Sequence, residues 1–148
     1  MIIFLDFDGV LHPFFPSKDL TDEENQLFSR TPRLWRILRE CPNVQVVFST
    51  SWRVQFPFQY NLECATKGGG EDLVHRFIGS TPNLETEGMY GRRDLEIEKW
   101  LNTNKHSGRW LAIDDMAELF ADQTNFHLVN GDIGLTDADV LAIIGRLR

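Results

Sequence analysis

The sequence predicts an α/β fold, a Rossmann-like three-layer α/β/α sandwich built on a mostly parallel five-stranded sheet. Three observations carry that reading. Short apolar runs alternate with segments whose apolar residues recur at helical spacing, the pattern of βα units. Gly, Pro and Asn clusters punctuate the boundaries between them. Reactive polar residues gather where the apolar runs end, which is where an open parallel sheet binds its ligands.

Ile2 to Asp6 is the first buried strand, a short apolar run ending in an acid. The segment 14–30 is irregular and then polar, with Thr21 and Glu24 at capping-box spacing. Thr31 reads as a cap residue before Pro32 at the first helical position, and Leu34, Ile37 and Leu38 give the helix its apolar stripe. Cys41-Pro42-Asn43 stops it. Val44 to Phe48 is the second strand, ending in Ser49-Thr50-Ser51. Aromatic residues followed by three glycines make 56–70 an expected irregular loop. Glu71 to His75 reads as a helical turn or two, Arg76 to Ile78 as a third strand, and 79–91 as a loop. Helical periodicity resumes over Asp94 to Leu101 through Leu95, Ile97 and Trp100. Trp110 to Ile113 is the fourth strand, running into Asp114-Asp115, and Phe126 to Val129 is the fifth. Thr136 with Asp139 caps a final helix carrying Val140, Leu141, Ile144 and Leu147. No linker interrupts the chain, so one domain over 1–148 is expected.

The composition, 42% hydrophobic and 25% charged, is that of an ordinary globular domain. At 148 residues the chain can bury roughly 68–70% of its unfolded surface without staples. Cys41 and Cys64 stand far apart and outside any metal or redox spacing, as expected of idle thiols in a reducing compartment. The apolar run at the N-terminus is too short for a signal peptide or a membrane span, so a cytoplasmic protein without a membrane partner is expected. A net charge of −7 argues against general nucleic-acid binding, while leaving room for a local basic pocket.

The strand ends hold the chemistry. Asp6 and Asp8-Gly9 close the first strand, Ser49-Thr50-Ser51 the second, and Asp114-Asp115 the fourth. Carboxylates brought together on one edge raise one another's pKa values, and each desolvated anion costs several kcal/mol. A hard divalent cation resolves that conflict. An all-oxygen donor set suits magnesium, which keeps waters and accepts a substrate phosphate.

These residues resemble the motifs of the haloacid dehalogenase superfamily along nearly the whole chain. The apolar strand ending in Asp-x-Asp-Gly stands here as Ile2 to Gly9, and the strand ending in Thr or Ser as Val46 to Thr50. A basic residue near a helix follows, and Leu111 to Asp115 is the strand ending in paired acids. The resemblance implies a phosphatase in which Asp6 is the nucleophile and carries an aspartyl-phosphate, and Asp8 is the general acid/base. Asp at position 8 implies a phosphatase or phosphomutase, because the family's transport ATPases carry Thr there and its dehalogenases lack an acid. Magnesium would be held by the side chains of Asp6 and Asp114, the backbone carbonyl of Asp8, and Asp115 directly or through water. Thr50 is favoured over Ser49 for the hydroxyl that meets the phosphate, and Arg93 over Arg92 and Lys99 for the basic residue. Gly9, Ser49, Ser51 and Arg53 would border the substrate.

With Asp-Gly-Val-Leu-His-Pro, Ser-Trp-Arg and Gly134-Leu135-Thr136, the chain looks like the phosphatase-like domain of Swiss-army-knife RNA repair proteins. That likeness implies a phosphorylated substrate, either a small molecule or a nucleic-acid end. Arg33, Arg36 and Arg53 would line such a site. Phe14, Phe15, Phe56 and Tyr60 either stack on a base or shield the cleft and complete the core. His12 beside Pro13 reads as a structural residue of the turn. The loops leave no room for a large cap, so an open, capless site is expected. Two other classes remain open: a phosphate-binding module without catalysis, and a phosphotransferase or mutase, which needs a lid.

Overall fold

Strand β1, Ile2–Leu5, is buried along its whole length and lies at the centre of the sheet. The computed structural model describes residues 1–88 and 91–148. Helix α1 (Thr31–Glu40) leads to β2 (Gln45–Phe48), and the short α2 (Trp52–Gln55) and α3 (Phe58–Thr66) lead to β3 (Phe77–Ser80). Helix α4 (Arg93–Thr103), β4 (Trp110–Asp114), β5 (Phe126–Leu128) and α5 (Asp137–Leu147) complete the order. The strands form one sheet, β3-β2-β1-β4-β5, and every pairing is parallel. The chain builds outward from β1 to β3, then crosses to the other side of β1. The strand order therefore reverses between β1 and β4, where open sheets of this kind form their crevice.

Alternation along the strands supplies both faces of the core. Ile3 and Leu5 pack with Val46, Phe48, Leu111 and Ile113 beneath α1, α3 and α5. Ile2 and Phe4 face the other way and pack with Val47, Ala112, Ile97, Trp100 and Phe126. Each fully buried Val, Leu, Ile or Phe among them contributes about 1.5–3 kcal/mol. The Phe4 ring meets Trp100 of α4 edge-on at 5.5 Å. One face thus carries three helices and the other chiefly α4, giving the expected three layers.

Four local expectations are corrected. Residues 56–70 do not form a loop: Phe58–Thr66 is helix α3, entered from an extended Pro57. Tertiary contacts decide this, because Leu62 and Ala65 are buried and the Trp35 indole donates to the Ala65 carbonyl at 2.8 Å. The glycines that suggest a loop serve the same ring. A Cβ on Gly70 would collide with the Trp35 indole, and one on Gly69 would approach it to 2.8 Å. Second, α1 begins one residue earlier than expected, with Arg30 in the cap position, and the Thr31 hydroxyl donates to the Phe28 carbonyl instead of capping. Third, Thr21 and Glu24 do exchange capping-box hydrogen bonds, yet a series of turns follows in place of a helix. Fourth, the strand expected over Arg76 to Ile78 lies later, at Phe77–Ser80, with Arg76 closing the 3-10 turn Glu71–Arg76. The loop that follows from 81 contains the 3-10 turn Glu85–Glu87, and Met89 and Tyr90 lie outside the described residues. The predicted capping box of the last helix is present, with Thr136 and Asp139 each bonded to the other's backbone.

Candidate active site

The register of the central strands brings the acids together. Leu5 pairs with Ile113, so the next residues, Asp6 and Asp114, emerge side by side at the reversal point. The Asp6 amide donates to the Ile113 carbonyl at 3.1 Å, and the Asp114 carbonyl accepts from Val129 at 2.9 Å, fixing both backbones. Carboxylate oxygens of Asp6, Asp114 and Asp115 all lie within 4.8 Å of one another. Asp6 and Asp114 are almost wholly buried.

Arg93, the first residue of α4, reaches into this cluster. Its Nη1 lies 3.0 Å from Asp6 Oδ2 and also bonds to Asp114 Oδ2. Arg92 instead pairs with Asp94, and Lys99 pairs with Glu87, both on the surface. Of the three basic candidates, Arg93 is the one that contacts the acidic cluster among the described residues.

One guanidinium does not balance three carboxylates. Burial and the neighbouring Asp114 push Asp6 well above the usual carboxylate range. Burial raises Asp114 despite Arg93, and burial with the Asp114 charge lifts Asp115 to about 6. Burial pulls the Arg93 guanidinium down, but the flanking Asp6 and Asp114 outweigh it and the net shift is upward. Fully ionised, three acids against one base leave two negative charges, the complement of a divalent cation. Asp115 adds a second sign of fit: its Oδ1 is buried with no hydrogen-bond partner. The carboxylate is wedged between Gly9, at φ 77°, and Gly131, and a Cβ at either position would strike Oδ2. The donors are hard oxygens, as magnesium requires.

Asp8 lies apart from this cluster. Its Oδ1 is 2.8 Å from His12 Nε2, and its Oδ2 accepts from the Trp52 indole at 3.0 Å. The hydrogen bond from His12 leads the causes that hold Asp8 below the usual range. His12, read from the sequence as a structural residue of the turn, thus also contacts the Asp8 side chain. It is 2% exposed and boxed by Phe28 at 5.0 Å and Trp52 at 6.1 Å. Phe28 itself has φ 61°, a backbone state costing a non-glycine residue about 1–3 kcal/mol and held only by surrounding contacts.

At the end of β2, Ser49 Oγ is buried without a partner, while Thr50 Oγ1 accepts from the Trp52 amide at 3.3 Å. Ser51 is exposed. Together with Arg53, Arg92 and Arg93 it lines a cavity of about 400 Å³. Arg53 touches that cavity but is committed elsewhere. Its guanidinium donates to the carbonyls of Thr50, Thr81 and Pro82 and to Glu96 at 2.7 Å. It clamps the ends of β2 and β3 to α4, which differs from the substrate-binding place its sequence suggests. Arg33 pairs with Asp137 and Arg36 with Glu40, so both are engaged on the helical layer. Phe14 and Phe15 are exposed and pack edge-on at 4.8 Å, and Phe56 stacks on Tyr60 at 4.7 Å.

That His12 and Trp52 are the partners of Asp8 is not apparent from the sequence. The spacing of four from Asp8 to His12 was visible. Trp52, forty-four residues on, reaches Asp8 only because β1 and β2 are neighbours.

The sequence model of the family described as the HAD domain in Swiss Army Knife RNA repair proteins matches residues 2–140, nearly the whole chain. Neither the curated proteins nor the solved structures contain a match to this sequence.

Proposed function

The chain belongs to the family of HAD domains in Swiss Army Knife RNA repair proteins. From that premise, we propose that it is a magnesium-dependent phosphomonoester hydrolase acting on a phosphate at a nucleic-acid end. The observation that carries the reading is the meeting of Asp6, Asp114 and Asp115 with Arg93 at the reversal point of the sheet. Family membership supports hydrolase chemistry of the HAD type, and the excess of negative charge in the cluster supports a divalent cation.

Magnesium would be held by the Asp6 and Asp114 side chains, the Asp8 carbonyl, and Asp115 directly or through water. When bound it supplies Lewis-acid stabilisation of charge on the phosphoryl oxygens. Asp6 attacks phosphorus through a carboxylate oxygen, and the ester P–O bond breaks to leave an aspartyl-phosphate on Asp6. The negative phosphoryl group of the substrate beside it favours the neutral acid, so Asp8 enters the reaction protonated. It gives that proton to the departing oxygen, then takes one from the water that attacks the same phosphorus, which frees phosphate and restores both Asp6 and the protonated Asp8. Arg93 orients Asp6 and, with its remaining N–H groups, holds phosphoryl oxygens. Thr50 or the unpartnered Ser49 hydroxyl donates to another, with Gly9 and Ser51 bordering the phosphate.

The substrate class draws on the family description and on the exposed aromatic pair Phe14 and Phe15, a surface able to stack on a base. The acidic balance confines such recognition to the end of the strand and excludes its length. The test is hydrolysis of phosphorylated oligonucleotide ends against sugar phosphates, with chelator and with magnesium restored. Turnover abolished by chelation, restored by magnesium and favouring oligonucleotide ends agrees with the proposal. Turnover indifferent to chelation refutes the metal, and a preference for sugar phosphates refutes the substrate class.

A further inference from the structure

We propose that His12, locked as the tautomer with its proton on Nε2, is the positioning residue for Asp8 and works with Trp52 to aim that carboxylate at the leaving oxygen. The inference rests on the reading of Asp8 as the general acid. Its foundation is hydrogen-bond directionality. The backbone N–H of Phe28 donates to His12 Nδ1 at 3.1 Å, so Nδ1 carries a lone pair and no proton. In the neutral ring the proton then sits on Nε2, which faces Asp8 Oδ1 at 2.8 Å and donates to it. Trp52 Nε1 is a donor in every state and takes the second carboxylate oxygen at 3.0 Å. Two donors on two different oxygens fix both the position and the plane of the carboxylate, where a single bond would leave it free to rotate.

The imidazole is held in turn by the rings around it. Phe28 meets Phe7 at 5.2 Å and Trp52 at 5.3 Å, and Phe7 meets Trp52 at 5.7 Å, each nearly edge-on. Phe7 is the residue between Asp6 and Asp8. The chain's own Asp-Phe-Asp turn therefore anchors the box that orients its second acid. The grip also keeps the Asp8 side chain out of the cluster of Asp6, Asp114 and Asp115, where a fourth carboxylate would add to the repulsion.

A proton donor matters most when the leaving oxygen is a poor leaving group. The test compares kcat and KM on an aryl phosphate and an alkyl phosphate with magnesium present, for Asp8→Asn, His12→Phe, His12→Gln and Trp52→Phe. His12→Phe is expected to lose at least about tenfold more kcat on the alkyl than on the aryl ester, with KM little changed. His12→Gln, whose amide N–H stands in for Nε2–H, is expected to recover most of that difference. Trp52→Phe keeps the ring and removes the donor, and should show a smaller loss of the same kind. If Asp8→Asn shows no selective loss on the alkyl ester, the general-acid reading itself falls. If Asp8→Asn shows it while His12→Phe and Trp52→Phe do not, the positioning inference alone falls. Should His12→Phe fail to fold, Trp52→Phe decides by the same criterion. Nitrogen-15 correlation spectra of the wild-type imidazole give an independent reading. A protonated Nε2 with bare Nδ1 agrees, and the opposite tautomer overturns the proposal.

Discussion

The two acids of the Asp6-Phe7-Asp8 turn are separated by one residue and live in opposite surroundings. Asp6 is buried against Asp114 and Asp115 with one arginine among three carboxylates, and its charge is poorly tolerated. Asp8 is half-buried, has a donor on each oxygen, and holds its charge more easily than a free aspartate. Alternation explains how one short turn serves both. Phe7 points into the core beneath α1, so the flanking acids open toward the sheet edge, one on the β4 side and one near β2. The difference teaches that the turn divides labour by environment and not by residue type. The crowded side suits binding of a cation and a phosphate, whereas the satisfied side suits precise handling of a proton.

The sharpest way to break this contrast is to alter the crowded side. Asp6→Asn should cut turnover of an aryl phosphate by on the order of 10⁴-fold or more. The metal-free variant should unfold at no lower a temperature than the wild type, because a crowded charge has been relieved. A variant that keeps its activity, measured by kcat, removes Asp6 from the chemistry.

Next in size is the clamp beneath both sides. Arg53 and Glu96 are a buried pair, each side chain 7% exposed, and Glu96 follows Arg93 by one helical turn. Removing one partner by Arg53→Met should destabilise the protein by about 3–5 kcal/mol in urea unfolding, because Glu96 keeps a buried charge. A loss under 1 kcal/mol would mean the pair is better solvated than its burial implies.

The basic member of the cluster should respond in a graded way. Arg93→Ala should lower kcat/KM by about 10- to 150-fold, the equivalent of one charge-assisted hydrogen bond of about 1.5–3 kcal/mol. Arg93→Lys, which keeps the charge and loses the fork, should fall between. Equal activity in the lysine and wild-type forms would show that the fork is idle.

The smallest effect is expected far from the site. Thr136→Ala removes the cap of α5 and should cost about 0.5–2 kcal/mol at neutral pH. Burial alone would raise Asp139, but hydrogen bonds from His127 and Thr136 prevail and hold it below the usual range. Such a group contributes stability above its unfolded pKa and loses it as pH falls through its folded pKa. The gap between variant and wild type should therefore narrow below about pH 4 in thermal unfolding. An undiminished gap at acid pH would assign the cap's value to the threonine alone.

Much of this was legible in the sequence because local patterns and tertiary demands agreed. The continuous apolar run of β1 and the Thr136–Asp139 box are local patterns, and both appear where the sequence places them. Asp6 and Asp114 become neighbours once two strand ends adjoin, an inference the order of motifs already contains. Helix α3 was illegible for the opposite reason. Its glycine-rich flank mimics a loop, and only the Trp35 ring, thirty residues upstream of Ala65, reveals why small residues stand there. The commitment of Arg53 to carbonyls and Glu96 likewise depends on contacts across three elements.

The central claim is that Asp6 carries the phosphoryl group, and trapping tests it most directly. The enzyme is mixed with a phosphomonoester and magnesium, acid-quenched during turnover and reduced with borohydride, which converts an aspartyl-phosphate to homoserine. Peptide mass spectrometry should then find homoserine at position 6 and unmodified aspartate at positions 8, 114 and 115. Homoserine at another of these positions, or sustained turnover with none at position 6, would contradict the account.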